Sequence, residues 1–268
     1  MHDNLSVLQH ATRADVHTEP FPHVILQNAL PEPLCNELID SYPPLEMLGV
    51  NKKKNNKRWN YSAHESLNDP QIPSLWRDFV RYHCSAGFFH DVIKMFGEDI
   101  VKHYPELFPS LEQLLNAEPG IRYINKFPEK TVLLDAQISG NTPVRRRTSV
   151  RPTHVDLGNK LFSGLFYMRQ DDDLTQGGDL TISRFKPNIV ERADKLACFE
   201  GVYVRDRHTE IVKTVRYAKN TLVLFLNTLD SLHGVTVRES TPHCRLFLNL
   251  IGEVNTELYP IRPIKKTY

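Results

Sequence analysis

Near residue 121 the chain changes character, and that change restricts its fold more than any other feature. Beyond it comes a succession of short apolar runs, each closed by a turn signal: 131–138, 161–168, 177–182, 201–204, 211–217, 220–226 and 245–251. Segments of four to eight residues rich in Val, Ile, Leu, Phe and Tyr read as strands. No helical pattern alternates with them, so a βαβ sheet is excluded and a sandwich or jelly roll is expected. The 201–204 and 211–217 runs flank the polar stretch 206–210 and read as the two arms of one hairpin.

The first half reads differently. Residues 31–40 open with Pro31 and Pro33 and place apolar side chains at helical spacing. From 74 to 96, Leu75, Phe79, Tyr82, Phe88, Phe89, Val92, Ile93 and Phe96 recur at helical spacing, with a break expected near Ala86-Gly87. A further short helix is expected over 111–115. The polar segment 51–60 reads as an exposed loop. The organisation this predicts is a helical region over 1–118 packed on a β core over 119–256, with a tail over 257–268.

Composition narrows the function classes. The net charge is +1, with 40% hydrophobic and 24% charged residues, as in an ordinary globular protein. No global field draws the molecule to nucleic acid, so basic patches must be local: Lys52 to Arg58, and Arg145-Arg146-Arg147 with Arg151. Neither is interleaved with aromatics as single-stranded nucleic-acid binding requires. Cys35, Cys84, Cys198 and Cys244 form no CxxC pair and read as reduced thiols. The polar start Met1-His2-Asp3-Asn4 lacks a signal-peptide profile, and no apolar run approaches the roughly 20 residues of a membrane span. A cytoplasmic, soluble protein is expected, and nothing in the chain speaks to its oligomeric state.

One constellation carries chemistry. Thr153-His154-Val155-Asp156 places an imidazole and a carboxylate two residues apart, hence on one face of a strand end. His233 follows in Leu232-His233-Gly234-Val235, just beyond the apolar run 220–226. Two imidazoles and a carboxylate on one face of an octahedral ion hold Fe(II) and leave three positions open. With 12 histidines, about half a His-x-Asp is expected by chance, so the tripeptide alone decides little. The triplets His17-Thr18-Glu19 and His208-Thr209-Glu210 read as solvated polar residues rather than rival ligand sets. Arg245 opens the last strand, where a guanidinium can grip a carboxylate through two hydrogen bonds.

Taken together, His154-x-Asp156, Gly177-Gly178-Asp179-Leu180, the 220–226 run, His233 and Arg245 resemble the Fe(II)/2-oxoglutarate-dependent dioxygenase superfamily over about residues 120–253. That family's signature is His-x-Asp, a distal His, and an Arg or Lys about ten residues later. The resemblance implies a mainly β fold with α: a double-stranded β-helix (jelly roll) core with N-terminal helices packed on it. It implies Fe(II) on His154, Asp156 and His233, and 2-oxoglutarate as co-substrate with O₂, with ascorbate as an optional reductant. It also implies a co-substrate carboxylate on Arg245, with Arg238 as the rival. Gln137 and Tyr167 are placed to hydrogen-bond the co-substrate. Halogenases of the superfamily carry a small residue where Asp156 stands, so the resemblance favours hydroxylation of an unactivated C–H bond.

For the substrate, Arg147 and Arg151 are expected at the mouth of the site. They would bind an anionic small molecule such as a sugar acid or amino acid. The competing structural reading pairs this basic loop with Asp171-Asp172-Asp173. The 52–58 run is either a solvated loop or a lid. Two other functions stay open: a peptide hydroxylase resembling prolyl hydroxylases, and a non-catalytic jelly-roll protein carrying a structural metal or none.

Overall fold

A computed structural model describes residues 5–149 and 151–261, so Val150 and most of the expected tail (262–268) lie outside the described residues. The helices are α1 (Glu32–Asp40), α2 (Ala63–Asn68), α3 (Ser74–His83), α4 (Ala86–His103), α5 (Leu111–Leu115) and α6 (Arg192–Ala197). Pro31 and Pro33 start α1 as expected. The break between α3 and α4 falls at Cys84-Ser85, where the Ser85 hydroxyl accepts the Phe88 N–H as a cap. A reciprocal Ser62/Glu65 capping box starts α2. Among the described residues no helix is long and apolar enough to cross a membrane.

The strands are β1 (His23–Gln27), β2 (Arg58–Tyr61), β3 (Pro119–Ile121), β4 (Val132–Asn141), β5 (Lys160–Tyr167), β6 (Leu180–Phe185), β7 (Phe199–Glu200), β8 (Tyr203–Val204), β9 (Thr209–Val215), β10 (Thr221–Leu226), β11 (His233–Val235) and β12 (Arg245–Glu253). The larger sheet has the order β1-β10-β5-β12-β4-β2, and β3 adds to β4 in parallel. The smaller sheet has the order β11-β6-β9. His154 bridges to His233 and so extends the small sheet by one more segment. Followed in sequence, the chain therefore visits the large sheet (β4), the small (His154), the large (β5), the small (β6, β9), the large (β10), the small (β11) and the large again (β12). This winding is the double-stranded β-helix.

The period-two alternation of the large sheet explains how one sheet carries both core and site. On β4 the even positions Val132, Leu134, Ala136 and Ile138 join the main apolar cluster with Trp76, Phe79, Phe89, Val92 and Phe96 of the helices. The odd positions Asp135, Gln137, Ser139 and Asn141 are polar and buried on the opposite face. β12 repeats the scheme: Leu246, Leu248 and Leu250 face the helices, while Arg245, Asn249, Ile251 and Glu253 line a cavity between the sheets.

Two expectations fail. Segments 201–204 and 211–217 do not pair with each other, because Gly201 (φ +64°) turns the chain back at once and β8 pairs with β7. β9 pairs with β6 instead. The segment 51–60 is a loop only as far as Lys57; Arg58–Tyr61 forms β2 at the edge of the large sheet, held by the register Arg58↔Asn141. Its partner strand is more than 70 residues away, so the local sequence, dominated by the preceding polar run, gives no sign of it.

One buried histidine makes the helical layer acid-sensitive. His83 Nδ1 donates to the Phe79 carbonyl (2.8 Å) and Nε2 accepts the Val7 N–H (3.2 Å), a pattern that only the neutral ring satisfies. Burial pushes its pKa down to about 4. The folded value lies below the unfolded one, so the contribution is complete above about pH 6.5 and is lost as pH falls toward 4, on the order of 3 kcal/mol. Urea-denaturation midpoints should drop over that window in the wild type and drop much less in His83→Gln; an equal drop in both would assign the effect elsewhere.

Candidate metal centre

The cavity between the sheets has a volume of about 510 Å³. At one wall, the backbone bridge between His154 and His233 exchanges two hydrogen bonds of 2.9 Å and sets the two imidazoles side by side, ring centroids 4.2 Å apart. Asp156, two residues past His154, points into the same space. Ligand atoms of His154, Asp156 and His233 all lie within 4.8 Å of one another, and all three residues are buried. Among the described residues this is the one group of metal-capable side chains that converges. His17 packs instead on His23 and His208 ends a 3-10 turn, so neither decoy triplet gathers a ligand set.

The hydrogen bonds around the triad fix which atoms face the centre. His154 Nδ1 meets the Pro152 carbonyl (2.8 Å) and His233 Nδ1 meets the Ser231 carbonyl (2.9 Å). A carbonyl only accepts, so each Nδ1 carries the proton and each Nε2 presents a lone pair. His154 Nε2 is buried with no hydrogen-bond partner. Burial, then the neighbouring His233 and Arg151, hold the His154 pKa well below the usual histidine range, and burial lowers His233 too. Burial alone would raise Asp156, but Lys160, His233 and Arg151 outweigh it and keep the carboxylate ionised. Ser163 Oγ donates to Asp156 Oδ2 (2.6 Å), Lys160 sits 3.3 Å from the same oxygen, and Arg151 approaches Oδ1 at 3.4 Å. Two neutral imidazoles, one carboxylate and an orphaned buried nitrogen fit a divalent ion of the borderline class, Fe(II) included.

Behind the triad loop, the Tyr259 hydroxyl donates to the Asp156 carbonyl (3.1 Å) and the Leu258 N–H to the Gly158 carbonyl (2.7 Å). The start of the tail thus clasps the ligand loop.

Of the two candidate anchors, Arg245 lines the cavity and Arg238 does not. Arg245 is 2% exposed, donates to the Gly178 carbonyl (2.7 Å), to Asn141 Oδ1 (3.5 Å) and to the Tyr167 hydroxyl (3.0 Å), and has no ion pair among the described residues. Gly178 (φ +79°) allows this approach: a Cβ there would stand 3.3 Å from Arg245 Cδ. Arg238 is spent on Asn56 Oδ1 and the carbonyls of Thr142 and His243, a structural role in which burial lowers its pKa to about 10.

Tyr167 does not line the cavity; its hydroxyl holds the Arg245 guanidinium. Gln137 does line it, with Nε2 on Asp135 (2.7 Å) and Oε1 accepting from Asn249 (2.8 Å).

The basic loop is only half placed as expected. Arg151 lines the cavity, but Arg147 is exposed and paired with Glu239 (2.7 Å). The Asp171-Asp172-Asp173 run engages Lys219, His243 and Arg169 rather than this loop. The 52–58 loop is tied down, with Asn55 Oδ1 capping the N–H groups of Arg145 and Arg146 and Asn56 Nδ2 reaching the Thr148 carbonyl. Arg58, read in the sequence only as the end of a basic run, lines the cavity, as do Asn60, Arg122, Lys160, Ser163 and Asn249, which no motif singled out. Asn141 lines it too, and its signal was present as polar side chains at every second position of 135–141.

No family model and no curated protein matches this chain. Solved structures do. A prolyl-4-hydroxylase from Pseudomonas putida is 13% identical with a TM-score of 0.48, covering 94% of this chain and 100% of its own. The structure reported for prolyl 4-hydroxylases from Phytophthora capsici is 14% identical with a TM-score of 0.42, and the match spans 89% of this chain and 60% of that one. HygX from Streptomyces hygroscopicus, solved with iron bound, is 13% identical with a TM-score of 0.38, covering 88% of this chain and 84% of its own. What the chain's own strand order establishes is a double-stranded β-helix with a buried two-histidine, one-carboxylate cluster at the wall of its inter-sheet cavity.

Proposed function

We propose that this protein is an Fe(II)- and 2-oxoglutarate-dependent dioxygenase that hydroxylates a C–H bond of a small anionic substrate. The observation that carries this reading is the pairing, in one cavity, of the His154/Asp156/His233 cluster with the buried Arg245, which has no acidic partner among the described residues. A buried guanidinium without a counter-charge is costly unless a ligand supplies one. A dicarboxylate that reaches from the metal cluster to Arg245 does so.

His154, Asp156 and His233 would hold the iron. When bound, iron with 2-oxoglutarate and O₂ supplies oxidative decarboxylation to succinate and CO₂, coupled to hydroxylation of the substrate. The chain's own part is positional. The carbonyls of Pro152 and Ser231 orient the imidazoles, Ser163 and Lys160 fix one Asp156 oxygen, and Tyr167 with Gly178 aims Arg245. The cavity is of small-molecule size, and amides and cations share its lining with apolar side chains such as Leu165, Phe225 and Ile251, which supports a small metabolite with polar groups as substrate.

Anaerobic addition of Fe(II) and then 2-oxoglutarate should produce a weak visible charge-transfer band near ~500 nm, as chelation of a ferrous ion by a keto acid does. A folded protein that binds Fe(II) tightly yet shows no band would rule the oxygenase out and leave a structural metal site.

A further inference from the structure

The cavity contains a second cationic pole. Arg58 enters it from β2, an edge strand contributed by the N-terminal half. The register Arg58↔Asn141 on one side of β4 and Arg245↔Asn141 on the other sets both arginines in one row across three strands. Their guanidinium carbons lie over the same Phe247 ring, 5.1 and 5.0 Å from its centroid.

The other cavity cations are committed. Arg122 pairs with Glu253 (3.0 Å) and Asp135 (3.6 Å), while Arg151 and Lys160 both pair with Asp156. Arg58 has Asn60 Oδ1 (3.0 Å) and, among the described residues, no ion pair. Between the two arginines, Asn141 is 1% exposed and its Nδ2 is buried without a hydrogen-bond partner among the described residues. The row thus offers two guanidinium groups and an orphaned amide donor. A single 2-oxoglutarate brings one distal carboxylate, which leaves one pole unmatched.

We propose that Arg58 anchors a carboxylate of the primary substrate, and that this substrate is a small hydrophilic carboxylic acid bearing hydroxyl or amino groups. The inference rests on the co-substrate occupying Arg245, as in the function proposed above. A carboxylate suits the site better than a phosphate dianion, because Arg58 alone would leave about one negative charge uncompensated. The amides of Asn60 and Asn249 are neutral polar groups that suit hydroxyl or amino groups, while Gln137 is held by Asp135 and Asn249. Arg58 is then a specificity residue that decides which end of the substrate points away from the metal cluster.

The test uses the full-length protein loaded with redox-inert Zn(II) and saturating 2-oxoglutarate, so that binding is read without turnover. Acetate, and a panel of hydroxy and amino acids each beside its primary amide, are screened by saturation-transfer NMR, and the hits are titrated. Acids should bind and their amides should not. Arg58→Gln should weaken the hits about tenfold or more and Arg58→Lys less, with 2-oxoglutarate affinity unchanged in both. Arg58→Lys keeps the test valid should the Gln variant fail to fold. Hits indifferent to the charge or to both variants would overturn the proposal. So would failure of every acid, acetate at high millimolar included, to bind the wild type, or an Arg58 variant that weakens 2-oxoglutarate as strongly. Failure of 2-oxoglutarate to bind the wild-type Zn(II) protein is a different result, and sinks the dioxygenase reading itself.

Discussion

His154→Ala is expected to yield a folded protein that retains no Fe(II) through desalting and forms succinate at least about a thousandfold more slowly than wild type. The magnitude follows from the donor count. Two protein ligands in place of three remove one bond from a site whose affinity is set by the ligands together, and an activity that depends on the metal falls with its occupancy. The fold should survive, because His154 bridges to His233 through its backbone, which alanine keeps. What is lost structurally is one side-chain hydrogen bond to the Pro152 carbonyl, about 1 kcal/mol, together with the packing of the buried ring on His233 and Tyr203. Metal content by elemental analysis and single-turnover succinate yield measure the two effects separately. Full iron retention with undiminished succinate would mean that the cluster is not the reaction centre.

Arg245→Gln should raise the 2-oxoglutarate dissociation constant roughly a hundredfold while iron stays bound. Truncating one partner of a buried, hydrogen-bonded charge pair costs about 2–4 kcal/mol, and about 1.4 kcal/mol is tenfold in affinity. Arg245→Lys should recover part of the loss: it keeps the charge but not the fork that reaches Gly178 and Tyr167 together. Arg238→Gln is the matched control. Its side chain holds Asn56 and two carbonyls outside the cavity, so it should lower the melting temperature and leave 2-oxoglutarate affinity nearly intact. If the two substitutions exchange their effects, the anchor has been assigned to the wrong arginine. Titration of the anaerobic absorption band gives both constants.

The core strands and the triad were readable in sequence because they are local signals. Short apolar runs closed by turn signals write β4, β5, β10 and β12 directly into the chain, and His-x-Asp is a two-residue rule. What the sequence hid is what depends on partners far along the chain. β2 is a strand only because β4 offers it an edge, and Arg58 enters the cavity only through that pairing. The β9 segment was given the wrong partner because proximity in sequence suggested a hairpin, whereas Gly201 had already turned the chain. Arg147 and Arg151 read alike as one basic patch, yet only Arg151 lies close enough to the turn at Pro152 to face the cavity. The choice between Arg238 and Arg245 likewise depends on which of two buried side chains faces the cavity, and both have only neutral partners among the described residues.

The backbone bridge between His154 and His233 bears on how the protein can be handled. Ligands far apart in sequence are brought together by two main-chain hydrogen bonds and by the closing of the two sheets. The entropy of gathering them is met by folding, so binding the ion need not organise the chain. A chelated preparation is therefore expected to stay folded and to take up an added divalent ion without a folding step, which circular dichroism before and after metal addition would check. Metal exchange then becomes a matter of diffusion into a finished pocket.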